Sequence, residues 1–316
     1  MNIRSLHFLL PTAILIAMGL QAFAVDVPAR LLYKDTSHDD VLIQQYKNGT
    51  VTYRLNDKDL NRVRVGPGKL DAIYFYKPKV FTEAMDLYRG RKYTEAKTKF
   101  AECEELFKPV DDAPNNYGTM AGFYKMECSR RMMKLNDLSG ELEKFRKQGL
   151  TRETHLQQLE VNAFWEAVRL KDWERLDRLA QAWRKHKVSG GQRAQIAYCH
   201  GLALENLAKK NPKLLTDALN AYNRALSADF TASTEIVAAA ANNALRIYNS
   251  DPKVILAIKL WGTEDERPNS AGHQRLLEAN QLIKLYKQAG FNVVSPLNPA
   301  FDKFYKYNAP EPTIGG

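Results

Sequence analysis

The periodicity of apolar side chains changes near Pro78, and this change constrains the fold more than any other feature of the chain. Residues 25–79 hold short runs in which apolar side chains recur at every second position. From residue 80 onward they recur at every third and fourth position, as on one face of an amphipathic helix. We therefore predict a mostly helical protein that begins with a small antiparallel β module over residues 25–79.

The β module contains a strong hairpin signal. Val51, Tyr53 and Leu55 alternate with polar residues, and Asn48-Gly49 precedes this run. Both turn positions tolerate the positive φ that a tight hairpin needs. The size of the module and its number of strands resemble those of SH3-like or Sm-like barrels. The other predicted strands are Arg30–Tyr33, Val41–Ile43, Arg62–Val65 and Asp71–Tyr76.

In the helical part, one segment has the residue spacing of a close-packed helix pair. Ala84 and Ala96 lie twelve residues apart, and Phe100 and Cys103 follow at helical spacing. Two helices joined by a tight turn approach closely only where small side chains meet, while aromatic rings fill the gaps beside them. A single pair cannot bury both its faces, so further pairs are expected.

A second segment repeats this pattern, with Ala218, Tyr222 and Ala225 following Gly201. The pattern resembles the tetratricopeptide repeat (TPR) superfamily, in irregular units over residues 80–262, and the helical array with its cap is predicted to extend over residues 80–289. The resemblance implies a solenoid of antiparallel helix pairs with a capping helix, Leu276–Gln288; an irregular α-solenoid outside the family is the alternative. The second helices of the pairs are predicted to begin near Tyr93, Leu138, Trp173, Leu215 and Val254.

The resemblance also implies a binding surface. First helices of TPR-like pairs line a concave face that commonly holds a peptide or a partner protein. Asparagine and arginine side chains there would suit an extended backbone or a carboxylate. The candidate partner-binding residues are Arg89, Asn116, Lys125, Gln158, Asn162, Arg193, Asn242 and Asn243.

The N-terminal residues 1–24 are predicted to be a signal peptide. Arg4 gives a positive start, Phe8–Leu20 is largely apolar, and Ala22-Phe23-Ala24 matches a small-x-small cleavage pattern. A membrane anchor is disfavoured because this run reaches only about 20 Å along a helix. We expect a periplasmic or secreted protein, cleaved near Ala24, with no transmembrane segment.

The positive charge of the chain, +10, is spread along its length. A nucleic-acid-binding domain would concentrate this charge on one element, so we expect no nucleic-acid partner. An anionic polymer of the cell envelope is a plausible partner. Arg54, Arg62 and Arg64 on the predicted strands could form one anion-binding patch.

No catalytic or metal-binding motif supports an enzyme. The chain lacks H-E-x-x-H, G-x-S-x-G, P-loop and Rossmann patterns. We expect no cofactor, no metal site and no catalytic residue. Cys103, Cys128 and Cys199 are interpreted as buried small residues, with a Cys103–Cys128 disulfide as the alternative.

The C-terminal residues 290–316 form a tail rich in proline and aromatic residues. Phe301, Phe304, Tyr305 and Tyr307 make a one-turn stripe. We expect this stripe to fold back on the helices; a docking peptide for a partner is the alternative.

Together these features predict an exported, non-enzymatic TPR-like scaffold of the bacterial cell envelope, which binds a partner protein or peptide in a helical groove. The alternative is an envelope protein that binds anionic glycan or lipid through its basic β module. An enzyme that acts on envelope glycan is a third hypothesis.

Overall fold

The computed structural model describes residues 26–229 and 234–308, and the predicted signal peptide lies outside them. This part of the chain is mostly helical and begins with an antiparallel sheet. The strands are β1 (Val27–Tyr33), β2 (His38–Lys47), β3 (Thr50–Arg54), β4 (Val63–Val65) and β5 (Leu70–Phe75). The helices are α1 (Lys79–Arg89), α2 (Tyr93–Phe107), α3 (Tyr117–Arg131), α4 (Leu135–Lys144), α5 (Glu153–Leu170), α6 (Trp173–Ala182), α7 (Gly190–Leu207), α8 (Leu214–Ala228), α9 (Thr234–Ser250), α10 (Pro252–Leu260), α11 (Ala271–Gln288) and α12 (Phe291–Val294).

The sheet is curled rather than flat. Its strand order is β4-β3-β2-β1-β5, so β4 and β5 lie at opposite edges, yet only residues 66–69 connect them. Four strand spacings of a flat sheet would separate the edges by roughly 19 Å, which is more than that short turn can comfortably span. Asn48 and Gly49 have φ of 50° and 79°, which confirms the predicted hairpin turn.

The sheet and the first helices share one apolar core. Val27, Leu31 and Ile43 are fully buried on the inner face of the sheet, and they belong to the same cluster as Phe100 of α2. Phe75 at the end of β5 packs edge to face on Phe107 of α2, with ring centroids 5.7 Å apart. The sheet is therefore anchored on the helices rather than built around a separate core.

The helices form a series in which chain neighbours pack on one another. Helices α5, α7, α9 and α11 also contact one another in succession. The helices predicted to be the second of each pair begin at Tyr93, Leu135, Trp173, Leu214 and Pro252.

Small residues lie where helices approach most closely. Ala84 and Ala96 are fully buried, as the spacing of the first unit requires. A Cβ atom at Gly201 would lie 2.5 Å from the ring of Tyr222, so α7 and α8 touch through a position that only glycine fits. The hydroxyl of Tyr222 donates to Glu205 at 2.7 Å, which fixes the ring against α7.

The aromatic stripe of the tail packs back on α11. Phe301, Phe304 and Tyr307 are buried, while Tyr305 is half exposed. The side-chain amide of Asn280 donates to the backbone carbonyls of Phe304 and Tyr305, each at 2.9 Å. The first of the two alternatives for this segment is therefore the one observed.

The three cysteines are buried and free. Burial raises the pKa of the Cys103 and Cys128 thiols to about 12, so both are neutral at pH 7. The interpretation as small core residues is confirmed.

Candidate functional site

A basic cleft lies between α6, α7 and α8, with a volume of about 750 Å³. That volume lies within the range of pockets that hold small ligands or peptide side chains. Three exposed arginines stand around the cleft, and apolar and histidine side chains line its inner surface. The lining residues are Ala180, Trp183, Arg184, His186, Val188, Arg193, Ile196, Ala197, His200, Arg224, Ser227 and Ala228.

The start of α7 forms one wall of the cleft. Ser189 caps this helix by accepting from the backbone N–H of Gln192, whose side chain in turn accepts from the N–H of Ser189. This reciprocal capping box ends the loop and fixes the first turn of the helix. A Cβ atom at Gly190 would lie 2.9 Å from the carbonyl oxygen of Ala228, so the start of α7 lies directly against the end of α8.

An aromatic stack forms the opposite wall. The rings of Trp183 and His186 are stacked with centroids 4.7 Å apart, just beyond the end of α6. Trp183 also packs edge to face on Phe164 at 5.7 Å. These contacts hold the indole in place and leave it half-buried beside the cleft.

His200 lies at the bottom of the cleft and is buried. Its Nε2 atom is 2.9 Å from Oδ1 of Asp177. Burial lowers the pKa of His200 despite the Asp177 carboxylate, and the guanidinium groups of Arg224 and Arg184 lower it further. The imidazole is therefore neutral at pH 7, and its Nε2–H donates to Asp177.

The charge balance of the cleft is positive. Within residues 26–229 and 234–308, neither Arg184 nor Arg224 pairs with a carboxylate. Arg193 donates to the carbonyl oxygen of Val188 at 2.9 Å, which leaves most of its five N–H donors available. Asp177 is engaged by His200. The arrangement can therefore accept an anion at its rim and an apolar side chain on its inner surface.

Ser227 and His200 line this cleft and Asp177 contacts His200, but the three are not arranged as a nucleophilic triad. The hydroxyl of Ser227 donates to the carbonyl oxygen of Arg224 at 3.2 Å, and it makes no hydrogen bond to His200 among the described contacts. A nucleophile and its base should lie within hydrogen-bond reach, with some slack in an unliganded site. The geometry suits binding better than nucleophilic catalysis.

Three of the predicted partner-binding residues are not on the surface, and two of these lie on α5. Gln158 and Asn162 are buried, at 5% and 2% exposure. Gln158 exchanges hydrogen bonds with Gln195 of α7 at 2.9 and 3.0 Å, and Gln195 also accepts from the indole N–H of Trp165. These amides join α5 to α7, so they cannot contact a partner while this packing persists.

Three other candidates have local structural partners. Asn116 is fully buried and caps α3 by accepting from the N–H of Thr119 at 2.7 Å. Arg89 is exposed and pairs with Asp86 at 3.2 Å. Lys125 is half-buried and pairs with Glu104.

The last pair of candidates lies on α9. Asn242 donates to the carbonyl oxygen of Ala238 at 3.0 Å, and Asn243 accepts from Arg246 at 3.2 Å. Both are half-buried. Of all the predicted partner-binding residues, Arg193 is the one that lines the basic cleft.

The predicted anion patch is only partly assembled on the sheet. Arg64 on β4 pairs in register with Thr52 on β3, so its side chain and that of Arg54 lie on the same face. Arg54 is bound to the carboxylate of Asp26 and donates to the carbonyl oxygen of Asp57 at 2.7 Å. Arg62 and Arg64 are exposed. One of the three charges is thus neutralised.

Arg184 and Arg224 are the residues that sequence reasoning missed. Arg184 lies in the turn after α6, and Arg224 lies on a second helix, whereas the predicted partner-binding residues belong to first helices. A pattern of exposed arginines near helix ends gave a weak signal, but it could not show that the ends of α6 and α8 meet the start of α7.

In the described part of the chain no His, Cys, Asp and Glu side chains are grouped as a metal site would require. None of the helices there combines the length and apolar character needed to cross a bilayer. Comparison with protein-family models, with curated proteins and with solved structures gave no match. The class that the structure defines is a mostly helical protein with a small N-terminal antiparallel sheet.

Proposed function

We propose that this protein is an exported, non-enzymatic interaction protein of the cell envelope, with a TPR-like helical array that binds an acidic segment of a partner protein in the basic cleft. The observation that carries the proposal is the cleft itself: three arginines around an apolar inner surface, without described carboxylate partners for Arg184 and Arg224. The succession of contacts along α5, α7, α9 and α11 supports the array. The signal-peptide pattern of residues 1–24 supports export.

The chemistry of the cleft specifies the segment. Carboxylates accept charge-assisted hydrogen bonds from guanidinium groups, often in pairs. The inner surface offers Trp183, Ile196 and Ala197 to one apolar side chain. A segment with acidic residues on both sides of an apolar residue would satisfy both parts of the site.

The test is the binding of a fluorescent, end-blocked peptide of sequence Asp-Glu-Leu-Asp-Glu to the mature protein, measured by anisotropy. A triple variant, R184E/R193E/R224E, should bind at least about 30-fold more weakly, because each of the three reversals replaces attraction by repulsion at the rim of the cleft. The matched control, R175E/R178E/K210E, reverses three exposed charges that do not line the cleft, and it should stay within about threefold of the wild type.

Circular dichroism would establish that both variants are folded. Equal binding by the cleft variant and the control would contradict the proposal. So would equal affinity for the uncharged peptide Asn-Gln-Leu-Asn-Gln.

A further inference from the structure

A second cleft, the leucine cleft, lies on the other side of α8. It has a volume of about 720 Å³ and is formed by α8, α9 and α11. Most of its exposed lining is apolar. Its residues are Asn223, Leu226, Ser227, Tyr248, Gln274, Leu277, Glu278, Gln281, Leu282 and Leu285.

The leucines of this cleft are incompletely covered. Leu285 is 54% exposed, and Leu226, Leu277 and Leu282 are half-buried. The hydroxyl of Tyr248 donates to Glu278 at 2.7 Å, which holds this polar pair at one side of the apolar surface. A contiguous exposed apolar surface of this kind is typical of an interaction site.

The two clefts meet at one residue. Ser227 lines both of them and is exposed. Successive residues of a helix are turned by about 100°, so Leu226 and Asn223 point to one side of α8, and Arg224 and Ala228 point to the other. Ser227 lies on the ridge between, where its small side chain leaves room for a chain to cross.

We propose that a single segment of the partner protein occupies both clefts and crosses α8 at Ser227, with its acidic residues in the basic cleft and its leucine-like side chains in the leucine cleft. This inference rests on the proposed function and specifies the partner segment further. A crossing of about 10 Å, the width of a helix, needs about three extended residues between the acidic and the apolar parts.

Two features favour this occupant: the positive charge of the basic cleft, which complements acidic residues, and the continuity of the two clefts at Ser227. The basic cleft repels a purely basic segment, and a purely acidic segment would leave the leucines exposed to water. Joining the two parts makes the second contact intramolecular, so the affinity of the joined segment exceeds that of either part alone.

The experiment compares two labelled peptides. The first is the acidic peptide Asp-Glu-Leu-Asp-Glu, and the second extends it by Gly-Ser-Gly and then Leu-Leu-Ala-Leu. The extended peptide should bind the wild type at least about tenfold more tightly. S227W should bring the ratio of the two affinities, measured on the same variant, close to one, because a bulky ring on the ridge blocks the crossing between the clefts. The matched control, N220W, lies on the same exposed side of α8 two turns away, and it should retain the gain.

L285E provides a second variant, which should also remove the gain by placing a carboxylate in the leucine cleft. If the extended peptide binds no more tightly than the acidic one, the inference is wrong while the proposed function stands. Failure of the acidic peptide to bind the wild type would overturn both.

Discussion

The sheet and the basic cleft present arginine side chains in two different settings. On the sheet, Arg30 binds Asp40 at 2.8 Å, and Arg54 binds Asp26. The hydrogen bond from Arg30 holds the pKa of Asp40 well below its usual range. In the cleft, Arg184 and Arg224 have no carboxylate partner among the described residues, and they surround an apolar inner surface.

The difference indicates that, for anion binding, the position of the arginines matters more than their number. Arg62 and Arg64 are as exposed as the cleft arginines, but they lie on an open strand where water screens them. A cleft with apolar walls strengthens the electrostatic field at its mouth. Water therefore screens the attraction between an arginine and a bound anion less strongly there than on an open strand. We therefore expect the basic cleft to bind an anion more tightly than the sheet, although the cleft has three arginines and the sheet module has four.

The largest expected effect concerns the close packing of α7 against α8. G201A should destabilise the protein by about 2 kcal/mol, because the added methyl group would overlap the ring of Tyr222, which Glu205 holds in place. The matched control is G140A: Gly140 lies inside α4, where an added Cβ would meet no atom within 4 Å beyond its own helix backbone, so the change should stabilise the protein by up to about 1 kcal/mol. Urea unfolding measures both. Equal stability of the two variants would contradict the close approach of α7 and α8.

The next largest effects are those of salt and of charge reversal, which should distinguish the arginines of the basic cleft from those of the sheet. Raising NaCl from about 0.05 M to about 0.5 M should weaken binding of the acidic peptide about tenfold. The sheet variant R54E/R62E/R64E should bind within about threefold of the wild type and keep the same salt dependence. If this variant lost as much affinity as the cleft variant, the sheet would be the anion site, and the alternative of an anionic glycan or lipid partner would gain support.

The fold was more predictable than the site because local patterns determine close packing. The start of α2 at Tyr93, the start of α6 at Trp173 and the turn at Asn48-Gly49 all follow from short spacings in the sequence. The spacing also marks Gly201 and Tyr222 as packing positions of one helix pair, but it did not predict that Gly201 lies directly against the Tyr222 ring.

The candidate site depends on contacts between helices that a single helix pattern cannot show. Gln158 and Asn162 have the polarity of surface residues, and only the positions of Gln195 and Trp165 reveal that they are buried and satisfied. Arg193 was found because it lies on a first helix. Arg224 was missed because it reaches the cleft from the neighbouring second helix.

Lowering the pH should reduce the free energy of unfolding through two imidazoles, that of the buried His200 and that of the half-buried His155. Burial lowers the pKa of His200 and His155, so the unfolded chain binds protons more readily than the folded one below about pH 6.5. The stability these groups contribute is present above that pH and is lost as the pH falls towards their folded values. The urea midpoint should therefore fall between pH 7.5 and pH 5.5, and the fall should be smaller in H200Q. An identical fall in H200Q would show that His200 does not carry this dependence.

The smallest effects lie within the sheet, where two arginine pairs differ in exposure. R54A should cost about 1 kcal/mol, because it leaves the mostly buried carboxylate of Asp26 without its cation. R30A should leave the urea midpoint unchanged within error, since Arg30 and Asp40 are both well exposed and water replaces each partner. Equal losses in the two variants would show that exposure does not decide the value of these pairs. A larger loss in R54A than in R30A would show that Arg54 is committed to the fold of the sheet and is not available to an anionic partner.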